Sequence, residues 1–199
     1  MRPGCIVGTI ARMMRFTGFL GSLFVLSCLL QAWAADGQDA APWLLVDTVN
    51  LKLMVIEEGR PIRTFEDISI GRYGITRDRL RGDNHTPVGR FRIAWISDES
   101  AFHRFLGLDY PDLETARRAY AGQRITESDW QAIQAAHRKG EVPPQDTPLG
   151  GQIGIHGIGQ GNPDIHGAYN WTNGCVALTN EELDELMQWV RIGTRVDIR

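Results

Sequence analysis

The chain has 199 residues, 43% hydrophobic and 23% charged, proportions that suit one globular domain and exclude a disordered or repeat-built chain. Its 21 basic and 24 acidic residues leave a net charge of −3. That balance carries no electrostatic footprint for nucleic acid, so no nucleic-acid partner is expected.

The first element in chain order is an apolar run, residues 16–34, FTGFLGSLFVLSCLLQAWA, with Arg12 and Arg15 before it and Ala32-Trp33-Ala34 at its end. A basic start, an apolar middle and an A-x-A close are the marks of an export signal. Residues 1–34 are therefore predicted to be a signal peptide cleaved near Ala34, delivering the chain to the periplasm. The alternative keeps residues 16–34 as an inner-membrane anchor, since the run is nearly long enough to span. Lipidation at Cys28 is disfavoured by the apolar sequence that continues past it, and Met13 and Met14 are alternatives to Met1 as the start. Loss of the signal takes three basic residues and no acid, leaving a net charge of −6.

Residues 35–42, ADGQDAAP, form a short polar linker, and the folded domain is expected at 43–199. WLLVDTV, LKLMVIE and PIRTFEDISI are predicted strands, with EEGR as a turn, together a meander. A loop follows at 71–87, and six arginines fall between residues 72 and 92. Arginine matches carboxylates bidentately, which makes this stretch, Arg72 and Arg90 in particular, a candidate for binding an acidic substrate. The plainer alternative is a solvated loop. VGRFRIAWI then alternates, with Phe91, Ile93 and Trp95 on one face and Arg90 and Arg92 on the other.

The period changes after Tyr110. PDLETARRAYAG and TESDWQAIQAAHRKG are predicted helices, the second opened by Thr126 with Asp129 three residues on. EVPPQDTPLGG returns the chain, so a helical insertion spans about 111–150. Its stripe of Trp130, Ile133 and His137 either covers the sheet or forms a lid over a site. Either way, Pro143-Pro144-Gln145-Asp146 must arrive near the strand GQIGIHG, which ends at His156. Thr179 with Glu182 caps a C-terminal helix, and GTRVDIR closes as a strand. The expected class is mainly β (α+β): a curved mixed sheet or sandwich with a helical insertion and a C-terminal helix.

Removing the signal removes Cys5 and Cys28 and leaves Cys175 alone. One thiol makes no intramolecular disulfide, and in an oxidising compartment it needs burial or a use. As a packing residue it is a small hydrophobe. As a chemical group it pairs with a histidine elsewhere in the chain, and His156 at a strand end is the partner expected to lower its pKa. A zinc ion held by His156, Asp164, His166 and Cys175 is the rival, but no tight pair such as C-x-x-C supports it. Neither metal nor cofactor is expected. His85, His103 and His137 carry no partner signal.

The stretch IHGIGQGNPDIHGAYNWTNGCVALTN resembles the catalytic segment of the L,D-transpeptidases, the YkuD-type domain. That pattern is a histidine, a spacer, then Ser or Thr, usually His, Gly and Cys. Here fifteen residues separate His156 from Thr172-Asn173-Gly174-Cys175. TPVGRF at 86–91 is similar to the family's TPxGxF segment, and the resemblance covers roughly 43–199.

It implies that Cys175 is the nucleophile, His156 its proton donor and acceptor, and the Gly157 carbonyl the group that orients the imidazole. The Gly174 and Cys175 amides would face the oxyanion, with Trp171, Thr172 and Asn173 as neighbouring substrate-binding candidates. Two positions depart from the pattern. Asn173 replaces the usual second histidine, which nominates His166 as a stand-in. Ala177 replaces an Arg or Asn, which moves carboxylate recognition to Arg72 or Arg90.

The implied function is cysteine-dependent acyl transfer on the tetrapeptide stems of peptidoglycan. The acceptor amine would belong to a neighbouring stem or to an outer-membrane lipoprotein. Hydrolysis, as an L,D-carboxypeptidase or in releasing wall-bound protein, uses the same acyl-enzyme. The alternative of another class is a non-catalytic wall-binding module with an inert cysteine.

Overall fold

Strand formation begins at the apolar run WLLV. In this computed structural model, which describes residues 41–199, β1 (Trp43–Asp47), β2 (Lys52–Glu57) and β3 (Arg60–Phe65) form the expected meander. The predicted signal or anchor and most of the linker lie outside the described residues. Leu44 pairs with Val55 and Val46 with Leu53, all four fully buried. A slip of one residue would turn this set to solvent, so the register is fixed by burial. The third strand stops at Phe65, short of the expected Ile70, because Asp67 turns the chain at φ 53°. Residues 68–70 then leave the meander: Ser69 bridges Ala177, while Ile68 and Ile70 stay in the core.

The short pair β4 (Ile75–Thr76) and β5 (Thr86–Pro87) brackets the arginine-rich loop. β6 (Gly89–Ser100) is twelve residues long and turns at 101–102 into β7 (His103–Leu108). The insertion holds α1 (Leu113–Ala121), capped by the Asp112 side chain, and α2 (Glu127–Lys139), capped by the reciprocal Thr126 and Asp129 bonds and ended by Gly140 at φ 69°. Ala116, Ala119, Ile125 and Ile133 join the main core, and burying Ile133 alone contributes about 2 kcal/mol. Trp130, on the same stripe, stacks on Tyr120 at 6.2 Å. His137, which showed no partner signal, bonds the Pro111 carbonyl at 2.9 Å. The insertion therefore covers the sheet.

β8 (Gly154–His156), α3 (Pro163–Ala168), β9 (Val176–Ala177), α4 (Asn180–Leu186) and β10 (Arg195–Ile198) complete the chain. α4 carries the expected capping box of Thr179 and Glu182 and buries Leu183 and Leu186. Among the described residues one eight-stranded sheet runs β3-β2-β1-β10-β6-β7-β8-β9, parallel at β1–β10 and β8–β9 and antiparallel elsewhere. The first half of β6 pairs with β10 and the second with β7, so one long strand joins the two parts of the sheet. The mainly β, mixed sheet with a few helices matches the expected class. Among the described residues no helix is long and apolar enough to cross a membrane.

Candidate active site

The register sets Ser97, Phe105, His156 and Ala177 side by side across β6, β7, β8 and β9. Cys175 lies two residues before Ala177, so strand alternation puts its side chain on the face that carries His156. Ile155 and Val176 pair one step out of phase and point into the core instead. Thiol and imidazole therefore share one face, the imidazole at the end of β8 and the thiol at the entry to β9, and both line a cleft of about 670 Å³. The β6–β7 hairpin supplies one wall, with Trp95, Ser97, Glu99, Phe102 and Phe105; Arg72 and Asn173 stand among the residues that complete the cleft.

His156 is 3% exposed and packed in aromatic rings: Phe102 at 4.4 Å, Trp171 edge-on at 5.8 Å and Phe105 stacked at 6.1 Å. Burial holds its pKa below the ordinary imidazole value; the Gly157 carbonyl pulls the other way and His166 adds to the lowering. That carbonyl lies 2.7 Å from Nδ1. A carbonyl only accepts, so Nδ1 carries the hydrogen and Nε2 keeps the free lone pair. Gly157 sits where the resemblance put it. A Cβ there would come 2.5 Å from Asn180 Oδ1 and 2.9 Å from the Phe102 carbonyl, so the close packing of hairpin tip and α4 demands glycine.

The loop before β9 is folded by its own threonine. Thr172 Oγ1 accepts the Gly174 N–H at 3.1 Å and donates to the Cys175 carbonyl at 2.7 Å. Gly174 has φ 127°, and a Cβ there would lie 2.6 Å from the His85 carbonyl. Its amide does not face an oxyanion as expected, because Thr172 already holds it; the Cys175 amide is the donor left of that pair.

Underneath lies Arg79, 5% exposed, donating to the carbonyls of His85 (3.1 Å), Leu149 (2.9 Å) and Asn173 (3.3 Å). Sequence reasoning did not single it out. It ties three distant segments beneath the loop that carries Cys175.

Burial pushes the Cys175 thiol up to about 11, against the pull of the Gly154 amide and the Arg79 charge. Cys175 stays partly open to the cleft, so solvent tempers that shift. The expected low-pKa thiol is thus not the resting state. Desolvation raises the thiol and lowers the imidazole, leaving both neutral, with the S–H directed at the Gln152 carbonyl at 3.4 Å.

The other candidates divide. Arg72 lines the cleft and donates to Asn173 Oδ1 at 2.6 Å and to the Trp171 carbonyl at 3.3 Å, so the asparagine in the second-histidine position is what Arg72 docks on. Arg90 does not line the cleft; it is exposed and pairs with Asp197 at 3.3 Å. His166 does not line it either. It is buried behind Trp171, whose Nε1 donates to His166 Nδ1 at 3.4 Å, while its own Nε2 has no partner. Among the described residues no group of His, Cys, Asp or Glu is arranged to hold a metal ion, and the four zinc candidates are not gathered. No residue of α1 or α2 lines the cleft.

The fold has relatives among solved structures. The helical cell shape determining protein Pgp2 from Campylobacter jejuni matches at a TM-score of 0.53 and 19% identity, over 81% of this chain and 48% of that one. Bd1075 from Bdellovibrio bacteriovorus matches at a TM-score of 0.51 and 19% identity, over 80% of this chain and 48% of that one. At such identity the likeness is one of fold, and this chain spans about half the length of either. No protein of curated function matches the sequence. The family model of YkuD, the L,D-transpeptidase catalytic domain, matches residues 41–198. The chain therefore belongs to the L,D-transpeptidase catalytic domain family.

Proposed function

We propose that the protein carries out cysteine-dependent acyl transfer on peptidoglycan stem peptides, with Cys175 as nucleophile and His156 as base. One observation carries this reading: the thiol, at the entry to β9, and an imidazole on β8 with its Nε2 lone pair free line one cleft of about 670 Å³. Family membership and a cell-shape protein of the same fold support a role in the cell wall.

The resting pair is neutral, so activation is general-base catalysis rather than attack by a stored thiolate. As Sγ bonds to the carbonyl carbon between the L- and D-centres, its proton passes to His156 Nε2. The intermediate's oxygen takes the negative charge near the Cys175 amide. Collapse breaks the C–N bond, and Nε2 returns the proton to the departing D-amino acid, leaving a thioester on Cys175. An acceptor amine then attacks the thioester and loses a proton to Nε2, and the sulfur leaves and is reprotonated. The Gly157 carbonyl keeps the imidazole in the tautomer both steps need. Arg72, beside Asn173, is the candidate for a substrate carboxylate.

Hydrolysis is the second reading, and one observation favours it: the insertion leaves the cleft uncovered, so water has access to the thioester. Incubation with purified tetrapeptide muropeptides, followed by mass, tests both. Wild type should release the terminal D-amino acid and yield cross-linked dimer or, on the second reading, tripeptide. Cys175→Ala should abolish both products. His156→Ala should lose roughly 10²–10⁴ in rate, the usual worth of general-base help. Turnover that survives Cys175→Ala would sink the proposal.

A further inference from the structure

The insertion's return loop is linked to Cys175 through Gln145 and Gln152. Gln145 donates Nε2 to the carbonyls of Tyr110 and Pro143, each at 2.8 Å, which fixes the orientation of its amide. Its Oε1 accepts the backbone N–H of Gln152 at 2.7 Å. The Gln145 backbone is seated on Gly151, where an added Cβ would come 2.5 Å from the Gln145 carbonyl. Gln152 holds φ 54°, a left-handed conformation that is costly for a residue with a side chain and persists only where the surroundings enforce it. The Gln152 carbonyl, in turn, accepts the Cys175 S–H at 3.4 Å.

We infer that Gln145, outside the cleft, is a positioning residue: it locks the Gln152 peptide in its left-handed turn and so aims the Gln152 carbonyl at the Cys175 thiol. The inference rests on the reading of Cys175 as nucleophile. An acceptor aimed at S–H stabilises the thiol, and its negative end disfavours a thiolate. The carbonyl therefore holds the proton in place until substrate arrives, and it fixes where Sγ waits. Freed of Gln145, the Gln152 peptide would relax from φ 54°, and the sulfur would lose both its acceptor and its resting position.

The test is alkylation of the full chain by iodoacetamide across pH, read at the peptide that contains Cys175, beside muropeptide kinetics. Gln145→Met keeps the length of the side chain but neither hydrogen bond. It should move the alkylation midpoint to lower pH and speed labelling at pH 8 severalfold. Its kcat should fall about 10- to 100-fold with KM unchanged, the cost of a misplaced nucleophile. Gln145→Glu keeps an acceptor for Gln152 N–H and should not follow that downward move. Gln152→Val, at an exposed position where a β-branched residue resists positive φ, should reproduce it from the other end of the bond without disturbing the core. Midpoints unmoved in Gln145→Met and Gln152→Val, both folded by near-UV circular dichroism, would overturn the inference. So would a Glu variant that shifts as far down as Met. If wild type fails to turn over muropeptides, the functional reading falls by itself, and the alkylation profiles still decide the Gln145 contact.

Discussion

Two segments flank Tyr110, the β6–β7 hairpin of the sheet and the helical insertion, and they do opposite work. The β6–β7 hairpin, of which only VGRFRIAWI reads as strand in sequence, walls the cleft and packs Phe102 and Phe105 against His156. The α1–α2 insertion reads in sequence as either a cover for the sheet or a lid; its apolar stripe ends in the main core and no residue of either helix lines the cleft. An apolar stripe says that a helix packs; it does not say on what. Stability should therefore be concentrated in the insertion and catalytic tuning in the hairpin, a division that variants can break.

The largest effect tests the insertion. Replacing residues 112–146 by a short Gly-Ser loop strips Ala116, Ala119, Ile125 and Ile133 from the core, and the variant should not fold. The graded version is Ile133→Ala, which should cost about 2–5 kcal/mol in a urea titration. In that variant the alkylation midpoint of Cys175, measured on folded protein, should stay where it is in wild type. A folded loop replacement with a changed product ratio would restore the lid.

The hairpin should answer the other way. Phe102 is 41% exposed, so Phe102→Ala should change stability by no more than about 1 kcal/mol. The ring lies 4.4 Å from the imidazole, and its loss admits water to His156. The His156 pKa should then climb toward its ordinary value, and the acid limb of the kcat/KM profile should move to higher pH. An acid limb that stays put would show that the hairpin does not desolvate the base.

Stability against pH separates the two regions again. His156 and His166 both have folded pKa values lowered by burial from 6.5. Between the folded and unfolded values the unfolded chain binds more protons, so stability is full above about 6.5 and is lost as pH falls below it. Urea midpoints should fall from pH 7 to pH 5. Ile133→Ala should lower every midpoint while keeping that slope, whereas His166→Leu should flatten it. A slope that changes in Ile133→Ala would tie the insertion to the site after all.

What the sequence disclosed follows the same line. β1 and β2 were legible as short runs rich in Leu, Val and Ile that end at turn residues. β7 was not, because Arg104 and Gly107 break its apolar run and no Gly, Pro or Asn turn separates it from β6. α3 is only six residues long, though Asn162 as cap and Pro163 in its first turn were a readable start. Cys175 and His156 line one cleft because the pairing of β8 with β9 brings together the two ends of their sequence motif. Arg79 was one arginine among six; it is distinguished only by carbonyls from His85, Leu149 and Asn173, segments that meet after folding. Likewise, nothing local marks Gln152 for positive φ.

The smallest effect lies with the two arginines that sequence could not rank, and it sharpens the comparison within β6 itself. Trp95, Ser97 and Glu99 of that strand face the cleft, whereas Arg90, nearer its start, pairs with Asp197 across β10. An exposed ion pair of this kind contributes little. Arg90→Ala should therefore leave kcat and KM for a tetrapeptide muropeptide as they are in wild type. Arg72 comes from the loop before β4, and its guanidinium is held at the cleft by Asn173 Oδ1 and the Trp171 carbonyl. Both partners accept from one nitrogen, Nη2, which leaves its other N–H groups for a carboxylate. Arg72→Gln should raise KM severalfold with little change in kcat, since a contact made equally in ground and transition states alters binding alone. Asn173→Ala, which removes the side-chain acceptor but not the guanidinium, should show the same change to a lesser degree. If Arg90→Ala raises KM as much as Arg72→Gln, the far end of β6 reaches substrate too, and the assignment of one face of that strand to the cleft is wrong.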